Sequence, residues 1–360
     1  MTVQWTIVDA SDFAASAARW DALNDAGTPS PLLHSDFIGP ALAHFGSGGE
    51  KLVFGSDGEG GGVGAIVARS GSLVANVFQP SQAPIAAWVQ HRASNALCDH
   101  DALRALAARL GATTMMINIS QVDPELVARP DASTSLATSD SYDTGRVTIA
   151  GTFDAYWAAR GKNLRANMKK QRNRLDAEGV ALRFDCVVDP AQVVDAIADY
   201  GRLETASWKA SGGTAVSVDN AQGRFYRDVF ERFCARGMGR IYRCFYDDRL
   251  AAMDLCIVHA GVLVILKTSF DETIKGTSPA FLMRHDYFPR IFERQELARV
   301  EFYGRVMEWH TKWTQEIRTL YHVTAYRWPW VAKLDGLRRA RAQAAAPAVL
   351  APATTESSDA

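Results

Sequence analysis

The sequence predicts an α+β fold in which a mixed, mostly antiparallel sheet is flanked by helices. Two observations between residues 239 and 327 support this prediction. Three short apolar or alternating segments follow one another across tight turns, which indicates an antiparallel meander. A Gly-Thr-Ser-Pro break then introduces a helical pattern and one more short apolar run, so the meander leads into strand, helix and strand. The predicted strands are residues 240–246, 251–258, 262–266 and 300–303.

The helix after the third strand has a well-marked start. Ser278 can serve as its N-cap, and Pro279 occupies the first helical position, where a backbone N–H has no helical partner in any case. Pro289 is expected to kink the helix because it removes a backbone donor. A further helix is predicted at about residues 309–320. The apolar face of the first of these helices consists of Phe281, Leu282, His285, Phe288 and Phe292.

Chain length and the N-terminal pattern indicate two domains. A helix at residues 102–110, ended by Gly111, precedes a strand at 114–119. The Ser-, Thr- and Asp-rich segment 131–141 is predicted to be a linker. With 360 residues and 48% hydrophobic content, we expect one domain at 1–145 and a second at 146–341. Residues 342–360 are rich in Ala, Pro, Ser and Thr, which predicts a disordered tail.

The composition argues against several classes of protein. A formal net charge of −1 gives no bulk attraction to nucleic acid. No signal-peptide pattern is present at the N-terminus, and the longest apolar run, 255–266, is too short to span a bilayer. The five cysteines form no C-x-x-C pair, so we interpret them as buried thiols in a reducing compartment, without a metal. The sequence therefore predicts a cytoplasmic protein.

Four short motifs carry a family resemblance. They lie at residues 266–272, 277–282, 301–305 and 309–313, and further matching segments lie at 31–37, 153–157 and 204–209. Together they resemble the GNAT-type acyltransferase domain of cellulose- and exopolysaccharide-associated proteins, which are related to the Fem peptidyltransferases. The resemblance implies two tandem GNAT-like domains, the N-terminal one degenerate, each with a mixed, mostly antiparallel sheet flanked by helices.

The same resemblance implies an N-acyltransferase that uses acyl-CoA as a co-substrate and holds no permanent cofactor. Free N–H groups at a helix N-terminus can bind the pyrophosphate of coenzyme A, since the helix dipole favours negative charge there. The family carries glycine where this chain has Ala280, so close approach of the cofactor is in question at that position. The candidates for this site are Lys275, Ser278, Ala280, Phe281 and Leu282.

Three residues are candidates for catalysis. His310 is the first choice for a general base, since an unperturbed histidine titrates near pH 6.5, and the resemblance places it where relatives carry lysine. Glu301 is the second, because burial in an apolar strand would raise its pKa; the alternative is a salt bridge with Arg305. Glu204 is the third. The candidates for substrate binding are Trp208, Lys209, Lys267, Asp271 and Tyr303.

Two basic segments indicate an anionic partner. Residues 160–174 hold seven cationic side chains and no acidic one, which suits coenzyme A phosphates, anionic lipid or transfer RNA. Nucleic acid is disfavoured because no aromatic residues interleave with these charges. Trp328 and Trp330 precede a basic, partly apolar helix, a composition typical of a helix at a membrane interface. The alternative for this segment is a C-terminal helix packed on the domain.

These features lead to one favoured function and two alternatives. Bacterial ceramide synthases, which join a long-chain acyl group to a sphingoid base, are similar members of the same acyltransferase family. The favoured acceptor is therefore a lipid amine of this kind, acylated by a peripheral protein at the inner face of the cytoplasmic membrane. The alternatives are acylation of an amino sugar in surface-polysaccharide assembly, and a non-catalytic scaffold that binds an acyl carrier without turnover.

Overall fold

The computed structural model describes residues 3–58, 61–205, 216–217 and 219–345, with side chains as far as Arg341. In this part of the chain thirteen strands form one mixed sheet. The strands are β1 (Gln4–Asp9), β2 (Lys51–Ser56), β3 (Gly62–Ser70), β4 (Val74–Val77), β5 (Trp88–Gln90), β6 (Met116–Val122), β7 (Leu136–Thr148), β8 (Leu182–Val187), β9 (Gly239–Tyr246), β10 (Arg249–His259), β11 (Val262–Phe270), β12 (Arg299–Glu301) and β13 (Glu316–Tyr326). The helices are α1 (Phe13–Ala26), α2 (Ser35–Phe45), α3 (His100–Leu110), α4 (Phe153–Ala158), α5 (Lys162–Ala177), α6 (Val193–Thr205), α7 (Ala221–Ala235), α8 (Pro279–Arg294), α9 (Glu308–Trp313) and α10 (Pro329–Ala345).

The two halves of the chain repeat one order of elements. In the N-terminal half, a strand and two helices precede β2, β3 and β4, and then α3 leads to β6. In the C-terminal half, β8 and the helices α6 and α7 precede β9, β10 and β11, and then α8 leads to β12. Neighbouring strands pair antiparallel, except β4 with β6 and β11 with β12, which are parallel. This architecture confirms the predicted α+β fold of two GNAT-like units.

The two units share one sheet because each is completed by a strand from the other. The strand order is β1-β2-β3-β4-β6-β13-β7-β12-β11-β10-β9-β8, and β5 pairs with β3. The C-terminal strand β13 thus extends the N-terminal half, while β7 pairs with both β13 and β12. The segment predicted as a linker differs, since its residues from Leu136 onward form β7. Because residues 136–140 pair with β13, backbone hydrogen bonds to that strand hold this polar segment in place. A boundary at 145/146 falls within β7, so the two domain ranges stay a proposal.

Two helix boundaries also differ from the prediction. Helix α9 ends at Trp313, and residues from Glu316 onward form β13 instead of continuing a helix to residue 320. The change follows from a long-range contact: the Thr314 hydroxyl donates to the Arg146 carbonyl, and Glu316 pairs with Arg146 across the sheet. Helix α10 continues to Ala345, four residues into the predicted tail, and residues 346–360 lie outside the described residues.

The five cysteines are free thiols, and the predicted burial holds for three of them. Cys234, Cys244 and Cys256 are buried, and Cys98 and Cys186 are half-buried. Burial raises the pKa of Cys186 and Cys244 to about 12, so both stay protonated at neutral pH.

Candidate functional site

The sheet opens between β11 and β12. The parallel pairing of these strands covers only three residue pairs and ends at Val264 opposite Glu301, although β11 continues to Phe270. A bulge lies just beyond this point: Ile265 and Lys267 face consecutive residues of β10, so Leu266 has no partner residue there. Bulges turn a strand and leave backbone groups unpaired. The end of β11 therefore leaves its neighbour and exposes backbone to the gap.

Two cavities meet at this opening. The first, which we call the α8 cavity, encloses about 640 Å³ and is lined by the end of β11, the start of α8 and residues 302–310. The second, the inter-half cavity, encloses about 500 Å³ and is lined by residues 79–84 and Gln121 of the N-terminal half, together with Tyr142, Tyr226 and the opening itself. The residues that line both are Ile265, Leu266, Lys267, Phe302 and Gly304. The two cavities are thus opposite sides of one gap.

A strained turn forms the β12 side of the opening. Tyr303 has φ of 50°, which is unusual for a residue with a side chain, and the Gly304 N–H donates to the Phe302 carbonyl at 2.7 Å. The Tyr303 hydroxyl donates to Asp123 Oδ2 at 2.7 Å, and its carbonyl accepts from Tyr142. Burial raises the pKa of Tyr303 well above its usual value. Its hydroxyl therefore holds the turn in place, while Tyr303 lines the inter-half cavity.

Glu204 and Lys267 form an ion pair at the opening. Lys267 Nζ lies 2.9 Å from Glu204 Oε1, and the Val216 N–H donates to Glu204 Oε2 at 2.7 Å. Glu204 is buried at the end of α6, whereas Lys267 lines both cavities. The carboxylate therefore fixes the ammonium group where the cavities meet. Trp208 and Lys209, which were predicted beside Glu204, lie outside the described residues.

His310 lines the α8 cavity as a neutral ring. Its Nδ1 accepts the Met307 N–H at 2.9 Å, so the proton of the neutral imidazole is assigned to Nε2. Burial and the charge of Arg284 lower the pKa of His310 to about 4. A side chain at Gly304 would approach Nε2 to 3.7 Å, which places this nitrogen at the opening. A ring in this state presents an N–H donor to the gap, and the base role predicted from the sequence would require the other tautomer.

Arg284 is a site residue that the sequence analysis missed. It is 1% exposed and forms two hydrogen bonds of 2.9 Å with Asp254, a third with Thr268 Oγ1, and a cation–π contact with Trp309. The Tyr287 hydroxyl donates to the same carboxylate at 2.9 Å. The sequence does mark Arg284 as unusual, because this charged residue lies three residues after Phe281, on the apolar face of α8. A charged residue on such a face is rarely buried unless it is paired.

Glu301 lies away from both cavities. It is buried between Arg299 and Arg318, at 3.1 and 2.9 Å, and Arg318 also binds Asp123. Burial raises the pKa of Glu301, although the Arg318 charge opposes the shift. The salt bridge with Arg305 considered from the sequence is absent among the described residues. Glu301 thus belongs to an ion cluster that joins the two halves.

The start of α8 offers one unpaired backbone donor. The N–H groups of Phe281 and Leu282 both donate to the Ser278 carbonyl at 3.0 Å, and the Ser278 N–H donates to Gln171 Oε1 at 2.7 Å. The Ser278 side chain caps nothing. The Ala280 N–H has no partner among the described residues, and Ala280 lines the α8 cavity. Of the three N–H groups predicted to face a pyrophosphate, one is therefore open.

Asp271 and Lys275 lie outside the opening. Asp271 accepts the N–H and hydroxyl of Thr273 at 2.9 and 2.7 Å and pairs with Arg249. Burial would raise the pKa of Asp271, but these contacts lower it below its usual value. The carboxylate therefore closes a turn after β11, away from the substrate position predicted for it. Lys275 is exposed on the far side of the α8 start and lines a separate cavity.

The corresponding place in the N-terminal half is blocked. Helix α3 follows β4 as α8 follows β11, but the Asp99 carboxylate caps it by accepting the N–H groups of Asp101 and Ala102 at 2.9 and 3.3 Å. A carboxylate in this position competes with any anion. Of these two helix starts, that of α8 makes no side-chain cap and leaves the N–H of its second residue, Ala280, open, whereas that of α3 has the N–H of its second residue bound by Asp99.

The structure brings together part of the predicted site. Lys267, Ser278, Ala280, Phe281 and His310 line the α8 cavity, and Tyr303 lines the inter-half cavity with Lys267. Glu204 contacts this group through Lys267. The predicted residues placed elsewhere are Glu301, Asp271, Lys275 and Leu282.

Comparison with known proteins agrees with this geometry. Residues 162–311 match the family model described as "Acetyltransferase (GNAT) domain". FemX has a similar structure, with a TM-score of 0.58 and 8% identity over 89% of this chain and 98% of that one. L-PGS from Bacillus licheniformis (TM-score 0.50, 12% identity, 88% and 95% of the two chains) and a conserved protein of unknown function from Bacteroides thetaiotaomicron VPI-5482 (TM-score 0.50, 9% identity, 90% and 99%) are also similar.

These likenesses in structure extend over both halves, and at such low identity they concern the fold alone. No curated protein sequence matches the chain significantly. The family match concerns part of the chain: residues 162–311 are similar to an acetyltransferase domain of the GNAT type.

Proposed function

We propose that this chain is an N-acyltransferase that moves an acyl group from acyl-CoA to a primary amine, with a sphingoid base as the favoured acceptor. The observation that carries the proposal is the opening between β11 and β12. A thioester in the α8 cavity and an amine in the inter-half cavity would meet beside Lys267 and Leu266. This arrangement brings two reactants into contact from opposite sides of the sheet, which removes much of the entropy barrier.

The groups at the opening suit attack of an amine on a thioester. The amine nitrogen forms a bond to the acyl carbon, the carbon–sulfur bond breaks, and the proton lost by nitrogen ends on the leaving thiol. The Nε2–H of His310 and backbone N–H groups at the Leu266 bulge are donors for the carbonyl oxygen as it gains charge. The ammonium group of Lys267, held by Glu204, is a further hydrogen-bond donor at the opening.

The rim of the α8 cavity favours a long-chain acyl group as the group that is transferred. Phe270 and Met307 line this cavity and are 43% and 60% exposed. Large apolar side chains left in water beside a cavity indicate an apolar ligand. A long-chain acyl group leaving the cavity between Phe270 and Met307 would cover both.

The inter-half cavity supports the amino-sugar alternative. Its N-terminal wall contains Gln79, Gln82 and Gln121, whose carboxamides can bind hydroxyl groups. A sphingoid headgroup carries hydroxyls as well as an amine, and an amino sugar carries more of them. We place the catalytic unit in residues 146–341, and we propose that residues 1–145, a degenerate copy of the fold, contribute mainly the acceptor wall.

Mass spectrometry of cells that lack the gene tests the acceptor class. We expect the N-acylated sphingoid lipids to disappear and the free base to accumulate, because the amide-forming step is lost. Cells that carry the intact gene on a plasmid are the control. An unchanged lipid profile with loss of N-acyl groups from surface polysaccharide would contradict the lipid acceptor and favour the amino sugar.

The exposed face of helix α10 supports the proposal that the protein binds a membrane surface. Trp330, Leu334 and Leu337 are exposed and lie on one face at helical spacing, while Val331 and Asp335 face the protein. Exposed cations, Lys333, Arg338 and Arg341, flank the stripe. Arg338 and Arg339 both pair with Asp335, at 3.5 and 2.7 Å, and Trp328 is half-buried, so these three residues contribute less than the sequence suggested. Among the described residues, no helix combines the length and apolarity that crossing a bilayer requires.

Liposome flotation tests this surface. Binding is expected to rise with anionic lipid and to fall with salt, because each exposed cation contributes about 1 kcal/mol near such a surface. Replacing Trp330, Leu334 and Leu337 with alanine should release the protein. A matched control replaces three exposed apolar residues elsewhere, namely Leu73, Val188 and Val194. Wild-type protein that stays unbound on strongly anionic liposomes would refute the membrane role.

A further inference from the structure

A cavity among the helices α1, α2 and α7 lies outside the site described above. It encloses about 420 Å³ where two helices of the N-terminal half meet α7 of the C-terminal half, and we call it the α1–α7 groove. Within the described part of the chain, none of its lining residues also lines the α8 cavity or the inter-half cavity. Its volume is within the range of sites that hold small organic ligands.

The walls that the N-terminal half contributes to the groove are largely apolar. Phe13 is buried, whereas Ala14 and Ala43 are exposed, so part of this apolar surface is in contact with water. An apolar ligand in the groove would remove that surface from water, which is favourable. The apolar side chains that line the groove are Ala10, Phe13, Ala14, Ala17, Leu42 and Ala43.

Two arginines line the groove on the side of the C-terminal half. Arg236 forms an ion pair with Asp36 at 2.6 Å, so its charge is compensated. Glu50, the other carboxylate of the lining, is buried and accepts three hydrogen bonds of 2.7, 2.8 and 2.9 Å from the loop before β2. Arg232 lines the groove and has no hydrogen-bond or ion-pair partner in the described residues. The groove therefore presents one free guanidinium group.

The sequence of α2 is unusual where it faces this guanidinium group. A Cβ at Gly39 would lie 3.2 Å from Arg232 Nη1, so the arginine occupies space that only a glycine leaves open. Pro40 follows within the same helix and has no N–H to donate to the Asp36 carbonyl one turn earlier. Glycine and proline both disfavour the interior of a helix. Residues that oppose their own secondary structure are expected at functional positions.

We propose that the α1–α7 groove binds an apolar monocarboxylate of the size of a medium-chain fatty acid. The planar fork of Arg232 matches a carboxylate through two parallel hydrogen bonds, and the apolar walls of α1 and α2 receive the alkyl chain. A single free cation favours a monoanion over a phosphate ester, whose second charge would have no partner. The ligand contacts both halves of the chain, and its binding does not depend on acyl transfer.

Calorimetry of the full chain with octanoate, octan-1-ol and octylamine tests the charge requirement. These probes share an alkyl chain and differ in the charge of the head group. Octanoate should bind at least about tenfold more tightly than either of the others, as expected for hydrogen bonds to a charged group. Arg232→Gln should remove this preference. Arg224→Gln is the matched control, because Arg224 is exposed on the same helix and lies outside the groove.

A second variant fills the groove without changing the arginine. Ala14→Phe places a ring in the groove from an exposed position of α1 and should abolish octanoate binding. Ala15→Phe is its control, because Ala15 is exposed on the same helix but does not line the groove. Circular dichroism should confirm that both variants are folded.

Three results would overturn the proposal. The first is equal affinity of the wild type for octanoate and octan-1-ol, which would mean that no charge is recognised. The second is octanoate binding that persists at the wild-type level in both Arg232→Gln and Ala14→Phe, since the ligand would then lie in another cavity. The third is tighter binding of octyl phosphate than of octanoate, which would contradict a monocarboxylate.

Discussion

Replacing His310 with alanine is expected to lower the turnover of the purified enzyme by two or more orders of magnitude. The reason is the loss of the Nε2–H at the opening, since removal of one donor to a developing oxyanion has an effect of about 10²–10³ in other enzymes. The measurement is kcat with saturating acyl-CoA and amine. Circular dichroism should confirm that the variant is folded, because the ring also accepts the Met307 N–H.

The pH profile and a glutamine variant distinguish a donor from a base. Because the pKa of His310 is lowered from 6.5 to about 4, its ring stays neutral well above that pH, and a donor role predicts no inflection from His310 near pH 6.5. His310→Gln keeps an N–H donor and should recover part of the activity lost in His310→Ala. An inflection near pH 6.5 that disappears in both variants would show instead that His310 is the base.

Removing either partner of the Arg284–Asp254 pair should lower the free energy of unfolding by about 3–5 kcal/mol, because the remaining charge is left buried. The measurement is urea denaturation of Arg284→Met and Asp254→Ala. Arg290→Ala is the matched control on the same helix, since Arg290 forms an exposed pair with Asp286 and should change stability by about 0–1 kcal/mol. Similar losses for all three variants would contradict the structural role of the buried pair.

The local patterns of the C-terminal half predicted most of its elements. The turn residues and β-branched runs located β9, β10 and β11, and Ser278 with Pro279 located the start of α8. Elements set by distant pairing were not predictable. β7 looks like a linker because its polar residues are held by strands far away in sequence, and α9 stops where Thr314 contacts Arg146.

The sequence indicated which residues lie near the candidate site better than it indicated their protonation states and partners. Lys267 and His310 were identified, and both line the opening. The state of His310 depends on Met307 and Arg284, whose effect requires the folded chain. Glu301 seemed available for catalysis because Arg318 and Asp123, its neighbours in the ion cluster, are distant in sequence.

The most direct test of the account closes the opening between the two cavities. Gly304 lines both, and a Cβ there would meet its nearest neighbour at 3.7 Å, an ordinary contact, so Gly304→Ala should fold and retain activity. Gly304→Phe should fill the gap.

The measurement is thiol release from a long-chain acyl-CoA together with mass-spectrometric detection of the N-acylated amine. We predict one amide for each thiol released by the wild type and Gly304→Ala, and no amide from Gly304→Phe. Amide formation by folded Gly304→Phe at the wild-type rate would contradict the account.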